Sequence, residues 1–563
     1  MTTTKGKRLF IQSLSSAGVR QCFGNPGTTE MPLLDSLTDF PEITYHMALH
    51  EGVATGMADA YALASGKLGV VNLHVAPGLG NALGMIYNAW EGHSPVLVTA
   101  GQQDTRMLLR EPLLSHNLVA MAAPVTKWSA QAERAADLPL LVHRAVKTAF
   151  DEPRGPVFLS LPVNVMEEDS DAEPLTALAL PPLPKPDEKL IEGAAELLAE
   201  AKNPVIVAGE GVARAGVQAG LVALAEVIGA PVWNTLQPSG LNFPFTHDQY
   251  RGDLPSDQGR IRQTLGAADV LLLVCGDFFK EVFYSAQPPL PDGAAVIQID
   301  PSALNLARNF PVQCGIAGDP SVTLHALRDA VLSAGAKGFR AAVEKRRGEL
   351  AALKQADRQK AEERLKKTWS RRPISPARVM HELKLALPEG TCVVSEAITA
   401  AADMLRTLPL ERPGQYYAAR GGGIGQGLPS ALGIQVAFPG RRVVCLSGDG
   451  SAMYSIQALW TAAHHRLPVV FIILSNRVYR ILKINLDRYR SDFGWAGERP
   501  YPHMDLTHPD LGFVMMAEGM GVPGVRVEDP EQIGVALNAA FAAGTPYLVE
   551  IVTEGSWPVR GRD

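Results

Sequence analysis

At 563 residues the chain is too long for one hydrophobic core and points to about three domains of ordinary size. Hydrophobic residues make up 46%, charged residues 20%, and the net charge is −6, which gives no basic footprint for nucleic acid or an anionic membrane surface. The five cysteines are scattered, mostly in apolar runs and without metal-type spacing, so they read as reduced core residues of a cytoplasmic protein. No apolar run approaches the ~18 residues of a membrane span, and the N-terminus lacks the apolar stretch of a secretory signal.

Lys7 to Gly18 predicts an amphipathic helix stopped by glycine, and Val19 to Phe23 a strand. The strand enters a tight turn, Gly24-Asn25-Pro26-Gly27-Thr28-Thr29-Glu30, whose threonines are placed either to cap the next helix or to face a ligand. Ile43 to Met47 predicts a further strand, after which Glu51 opens a small-residue helix at a position where the dipole favours a carboxylate. Leu68 to Leu73 predicts a strand running into HVAPGLGNALG. Its glycines miss the dinucleotide fingerprint by one residue, and no acidic residue follows at the spacing a ribose contact needs, so it reads as a turn into a helix. His74 stands at that strand's C-terminal end, where α/β folds place ligands, although a lone histidine is more often structural. Strands at Val96 to Ala100 and Val157 to Leu161 complete a first α/β domain over 1–170.

A proline-rich segment, Glu173 to Pro186, marks a linker. A second α/β domain over 187–337 carries strands at Pro204 to Ala208, Pro231 to Asn234, Val270 to Val274 and Ala295 to Ile299. Its GEGVARAG stretch has Arg214 where a nucleotide loop wants its third glycine, so nucleotide binding there lacks support. The charged stretch Gly338 to Arg371 predicts an exposed linker helix, within 338–372.

The third domain, 373–563, holds Val393-Val394-Ser395-Glu396, the loop Gly421 to Gly427, and the stretch from Val443 to Asn476. Val443 to Ser447 is a buried strand ending in Gly448-Asp449-Gly450. Apolar residues at Ile456, Leu459, Trp460 and Ala463 predict a helix with one buried face, and Pro468 opens a second strand to Leu474. Parallel strands of a βαβ unit end on one sheet edge, which makes Asp449 and Asn476 neighbours. A carboxylate, an amide oxygen and a nearby carbonyl suit Mg²⁺, which takes its remaining ligands from phosphates and water. Gly448 and Gly450 admit an anion to the backbone N–H groups, and the helix behind them adds positive dipole. The bland alternative is an ordinary βαβ unit whose Asp449 caps a helix.

FGNPGTTE, ALHEGVATGMADAYA, NLHVAPGLGNALG, NAWEGHSPVLVTAGQQ, GGGIGQGLPSALG and GDGSAMYSIQALWTAA together resemble the thiamine diphosphate (ThDP) dependent 2-oxo acid decarboxylases, benzoylformate decarboxylase in particular, and the neighbouring acetolactate synthases. The resemblance spans the chain and implies three consecutive doubly wound parallel-sheet α/β domains, binding in turn the aminopyrimidine, nothing catalytic, and the diphosphate with Mg²⁺. It implies a homodimer or homotetramer with sites between subunits, acting on a small 2-oxo acid and on neither nucleic acid nor membrane.

Residue by residue, the resemblance implies that Glu51 promotes the reactive cofactor tautomer, His74 relays protons and Thr28 contacts the substrate carboxylate. Pro26 and Asn81 line the aminopyrimidine, Gly422 accepts its amine, and Ile424 props the cofactor into its bent form. Asp449, Asn476 and the Val478 carbonyl hold the metal. Ile398, Thr399, Gly448, Gly450, Ser451, Ala452 and Tyr479 complete the cofactor contacts. The substrate pocket takes Leu113, Leu114, Phe283, Ile481, Leu482 and Asn485 besides Thr28 and His74. Four positions depart from the benzoylformate decarboxylase pattern, among them Asn485, which stands where the family has an aromatic. Thr28 replaces a serine, adding a methyl that stiffens χ1. Phe283 stands where the family has a second histidine, and Ile481 where it has a small residue, which narrows the pocket by about three carbons. The reading is a lyase that decarboxylates a 2-oxo acid to an aldehyde, with carboligation as a side reaction. An acetolactate synthase-type carboligase is the alternative, and a non-catalytic ThDP-binding protein a third.

Overall fold

The computed structural model describes residues 3–176, 180–418, 420–495 and 499–556. The chain forms two compact units, one of residues 1–179, 368–404 and 421–563, the other of 180–367 and 405–420. The first unit contains two parallel sheets. Its N-terminal sheet runs Thr44–Met47, Gln21–Gly24, Gly69–Leu73, Val96–Gln102, Val157–Pro162, Ser129–Gln131. The C-terminal sheet contains Cys392–Glu396, Val443–Gly448, Val469–Ser475, Tyr547–Val552 and Gly524–Val527 in that spatial order, again all parallel. Central strands such as Val96–Gln102 and Val469–Ser475 are buried along their whole length. Continuous apolar runs are what strands covered by helices on both faces require.

The second unit has one six-stranded parallel sheet, ordered Tyr250–Asp253, Val232–Asn234, Pro204–Ala208, Val270–Val274, Ala295–Asp300, Cys314–Ala317. The three sheets thus form three doubly wound α/β domains, as the sequence predicts. In the first two domains the strands missed in sequence include Ser129–Gln131, Tyr250–Asp253 and Cys314–Ala317, each at a sheet edge, and in the third domain Tyr416–Ala418, Gly524–Val527 and the buried interior strand Tyr547–Val552 also went unpredicted. The three edge strands of the first two domains are short and partly buried, so they carry no apolar run that marks a strand. The charged stretch forms the helix Phe339–Thr368, in which only Val343 and Leu350 are buried. Long cations pin it to the middle unit: Arg346 donates to the Ile228 carbonyl at 2.7 Å and Lys354 to the Phe245 carbonyl at 2.7 Å.

The structure closes one open alternative and overturns one expectation. The Thr28 and Thr29 hydroxyls do not cap the following helix: Thr28–Glu30 is a 3₁₀ turn without a side-chain cap, and the Thr29 hydroxyl donates to Glu30 Oε1 at 2.8 Å. The crossover after Gly450 is not one amphipathic helix. A single turn, Asp449–Ala452, precedes a separate helix, Ala458–His464, which buries Ala458, Leu459, Thr461 and Ala462 and leaves Trp460 to stack on His464. One helical turn has little aligned dipole, so the N–H groups themselves, not a helix behind them, favour an anion there.

What positions the site is the contact between the helices Glu51–Ser65 and Gly427–Ala437. A Cβ on Gly433 would stand 2.2 Å from the Met57 carbonyl oxygen, and one on Gly56 2.9 Å from Pro429. The two backbones therefore touch through glycine, and this locks the Glu51 helix onto the helix that follows the Gly421–Gly427 loop.

Candidate active site

Glu51 is the first residue of its helix, and His50 supplies the cap, its Nδ1 accepting from the Gly52 N–H at 3.0 Å. The carboxylate is only 6% exposed. Asn81 donates to Oε2 at 3.1 Å, and Asn25 approaches Oε1 at 3.5 Å. Two neutral amides orient the carboxylate and bring no counter-charge to it.

His74 ends the strand Gly69–Leu73 and begins the helix Val75–Glu91. Its Nδ1 meets Glu30 Oε2 at 2.8 Å, with the imidazole 21% exposed and the Glu30 carboxylate wholly buried. Glu30 Oε1 also accepts from the Gly101 N–H at 2.9 Å. A buried carboxylate tied to Nδ1 fixes the tautomer and turns Nε2 outward. Gly78 stands between the two groups: a Cβ there would lie 3.0 Å from Glu51 Oε1 and 3.2 Å from His74 Cβ. The turn at Gly27 closes over the pair, since a Cβ there would fall 2.0 Å from His74 Nδ1. Pro26 and Thr28 flank this glycine at the rim, and both are exposed.

The second constellation lies at the C-terminal edge of the other sheet. Val443–Gly448 and Val469–Ser475 pair in parallel with Gly448 opposite Leu474, which makes Asp449 and Asn476 neighbours as predicted. Asp449 is 3% exposed; its Oδ1 accepts from the Gly450 N–H at 2.8 Å and its Oδ2 from the Arg477 N–H at 2.6 Å. Burial pushes its carboxyl above the ordinary range, against the pull of these backbone donors. The Asn476 amide oxygen accepts from the Val478 N–H at 3.0 Å. Ser451 and Ala452 are buried in the single turn behind Gly450. Gly450 faces the Tyr479 ring, which a Cβ would meet at 2.5 Å, whereas one on Gly448 would meet nothing within 4 Å. A buried carboxylate with only backbone donors, an amide oxygen beside it and open space at Gly448 fit a small divalent cation carrying a diphosphate.

Gly422 (φ +79°) is exposed and Ile424 partly buried in the loop leading to the Gly427–Ala437 helix. Ile398 and Thr399 lie in the turn after the strand Cys392–Glu396, partly buried. Ile481, Leu482 and Asn485 share the helix Arg480–Asp492, which buries none of its residues. Leu113 is 85% exposed, and Leu114, with φ +71°, follows it in an irregular loop. Phe283 belongs to the middle unit and is partly buried. The hydrogen-bond partners found for Glu51 and His74 all come from the N-terminal domain, and those of Asp449 and Asn476 from the C-terminal one. The chain thus presents two half-sets of site residues. Sequence reasoning missed Glu30, Asn25, Asn88 and Glu396. In sequence Glu30 is only the last residue of a tight turn, and the fold alone brings the strand Val96–Gln102 to it.

Three protein-family descriptions match in order: "Thiamine pyrophosphate enzyme, N-terminal TPP binding domain" over residues 4–121, its central domain over 191–327, and its C-terminal TPP binding domain over 399–551. The chain belongs to the thiamine pyrophosphate enzymes. Within them it is similar to benzoylformate decarboxylase of Pseudomonas aeruginosa, 35% identical over 544 residues, covering 95% of this chain and 96% of that one. The solved 4-hydroxybenzoylformate decarboxylase of Rhodococcus jostii RHA1 superposes with a TM-score of 0.84 at 31% identity, over 98% of this chain and 99% of that one. The isozyme 3 large subunit of Escherichia coli acetolactate synthase is 28% identical over 99% of this chain and 96% of its own length.

Proposed function

We propose that the chain decarboxylates a 2-oxo acid of the benzoylformate kind without oxidation, releasing CO₂ and an aldehyde, with Mg²⁺ and ThDP, and ligates carbonyls as a side reaction. The observation that carries this is the Glu51–Gly78–His74 arrangement, with His74 held by buried Glu30. A protein that merely bound the cofactor has no use for a tautomer-fixed histidine beside a buried carboxylate.

Asp449, Asn476 and the Val478 carbonyl would hold the cation, and the backbone of Gly448 to Ala452 the diphosphate. The bound cofactor supplies a nucleophilic carbon and an electron sink for the charge left when CO₂ departs. Glu51 holds and returns a proton at its carboxyl, oriented by Asn25 and Asn81. His74 offers Nε2 to the substrate while Glu30 keeps Nδ1 occupied. The exposed Thr28 hydroxyl at the rim donates to the substrate carboxylate. The resemblance to the ThDP decarboxylases implies sites between subunits, so we take the two half-sets to be brought together by a second copy of the chain, in a homodimer or homotetramer of a cytoplasmic enzyme. Among the described residues no helix is long and apolar enough to cross a membrane.

Phe283 favours a second reading. A phenyl ring delivers no proton, and slow protonation leaves the nucleophilic site open to a second carbonyl, as in an acetolactate synthase-type carboligase. One screen separates the two: CO₂ release and product identity with benzoylformate, pyruvate and branched 2-oxo acids. Aldehyde as main product supports the decarboxylase, hydroxyketone the carboligase, and no CO₂ from any of them refutes both.

A further inference from the structure

The loop Gly421 to Gly427, which on the reading above carries Gly422 and Ile424 to the cofactor, is held at every residue between and beyond those two. Asn88, from the helix Val75–Glu91 and 1% exposed, grips Gly423 at both ends: its Nδ2 donates to the Gly423 carbonyl at 2.8 Å and its Oδ1 accepts from the Gly423 N–H at 3.1 Å. Glu396, at the end of the strand Cys392–Glu396, takes the three N–H groups that follow Ile424. Its Oε1 accepts from Gly425 at 2.7 Å and from Gln426 at 3.0 Å, and its Oε2 from Gly427 at 2.9 Å. The Gln426 side chain donates in turn to the buried carboxylate of Asp59, on the Glu51–Ser65 helix.

None of this is cheap. Burial pushes the Glu396 carboxyl up to about 7 and that of Asp59 to about 6, so each charge leans on the loop's donors for its solvation. The approach is also too close for a side chain at Gly421, Gly423 or Gly427. A Cβ on Gly421 would stand 2.2 Å from Asn88 Oδ1, and one on Gly427 2.8 Å from Glu396 Oε2. The glycines are therefore there for the clamp as well as for a ligand. What it leaves presented is Gly422, exposed at φ +79°, and Ile424.

We infer that Asn88, Asp59 and Glu396 form a three-point clamp that sets the loop before any cofactor arrives, and that they are positioning residues for the aminopyrimidine end of ThDP. This deepens the proposed function and rests on it for the identity of the ligand. The clamp joins the two domains, since Asn88 and Asp59 come from the N-terminal one and Glu396 and the loop from the C-terminal one.

The test uses the full-length chain. In the cofactor-free protein, amide hydrogen exchange at Gly423 and Gly425 to Gly427 is slow. Glu396→Gln, whose amide nitrogen cannot accept, speeds exchange at Gly425 to Gly427 and weakens ThDP binding by about tenfold, measured calorimetrically with Mg²⁺. Inorganic diphosphate with Mg²⁺, which engages only the Asp449 end, binds the variant as it binds the parent. Asn88→Ala does the same through Gly423 and serves if the first variant fails to fold. Unchanged exchange and unchanged ThDP affinity in a folded variant overturn the clamp, as does an equal loss of diphosphate binding, which marks general destabilisation. A parent chain that binds neither ThDP nor diphosphate overturns the proposed function, and this inference with it.

Discussion

Glu51 and Glu30 are both buried acids within a few residues of a helix start, yet their surroundings assign them different work. Glu51 receives only side-chain amide donors, whereas Glu30 faces an imidazole and two backbone N–H groups and is a fixed acceptor; on the proposed function the first is the group that exchanges a proton. Glu51→Gln therefore keeps ThDP affinity but slows exchange of the cofactor's reactive hydrogen, and turnover, by at least about 100-fold. Normal turnover in that variant would refute the role. Glu30→Gln acts one bond further back. Its amide can hold the ring in the wrong tautomer, so kcat falls on the order of a hundredfold with KM little changed, and loss through KM alone would show that Glu30 only packs. Glu51 and His74 were legible as residue types in a recognisable motif. The partner that makes His74 useful was not, because its side chain meets the ring only after two strands and a turn have been assembled.

At the scale of elements, the N- and C-terminal domains meet through a run of histidines. His46, on the strand Thr44–Met47, stacks on Phe23 at 5.1 Å and faces His465 edge-on at 5.1 Å, while His465 Nε2 donates to the Met47 carbonyl at 3.1 Å. His46 Nε2 is bonded to Gln21 at 2.6 Å. Burial and the neighbouring His465 lower the His46 ring to about 4, and burial lowers His465 as well. The unfolded chain takes up a proton on His46 near 6.5 that the folded one refuses until about 4, so the stability present above 6.5 is lost as pH falls through that window. His46→Phe keeps the stack and removes the titration. Its melting temperature should fall less than the parent's between pH 6.5 and 4.5, and parallel curves would exclude His46 as the acid-sensitive contact. Sequence periodicity located the strands on either side of this contact. It carried the helix marked by Ile456, Leu459, Trp460 and Ala463 back to Gly450, whereas the chain turns over 453–457 and the helix begins only at Ala458.

Over the whole molecule, the proposal that a second copy of the chain completes the site makes a prediction of its own. Glu51→Gln and Asp449→Ala are each inactive by themselves. If the site is completed by a second copy, co-expressed variants form mixed dimers in which one site draws both of its halves from unmutated domains. Random pairing then returns about a quarter of parental activity per dimer. No recovery in demonstrably mixed oligomers would confine the site to a single chain.

The sequence by itself determined the three α/β domains, the βαβ unit that sets Asp449 beside Asn476, and the positions of Glu51 and His74. These depend on apolar runs, glycine turns and short-range topology, which are local and periodic. Tertiary structure alone decided that Glu30 backs His74, that Asn88 and Glu396 grip the glycine loop, and that Gly56 and Gly433 let two helices touch. Each of those is a meeting of residues far apart in the chain, at positions whose type is ambiguous until burial gives an acid or an amide a partner it must have.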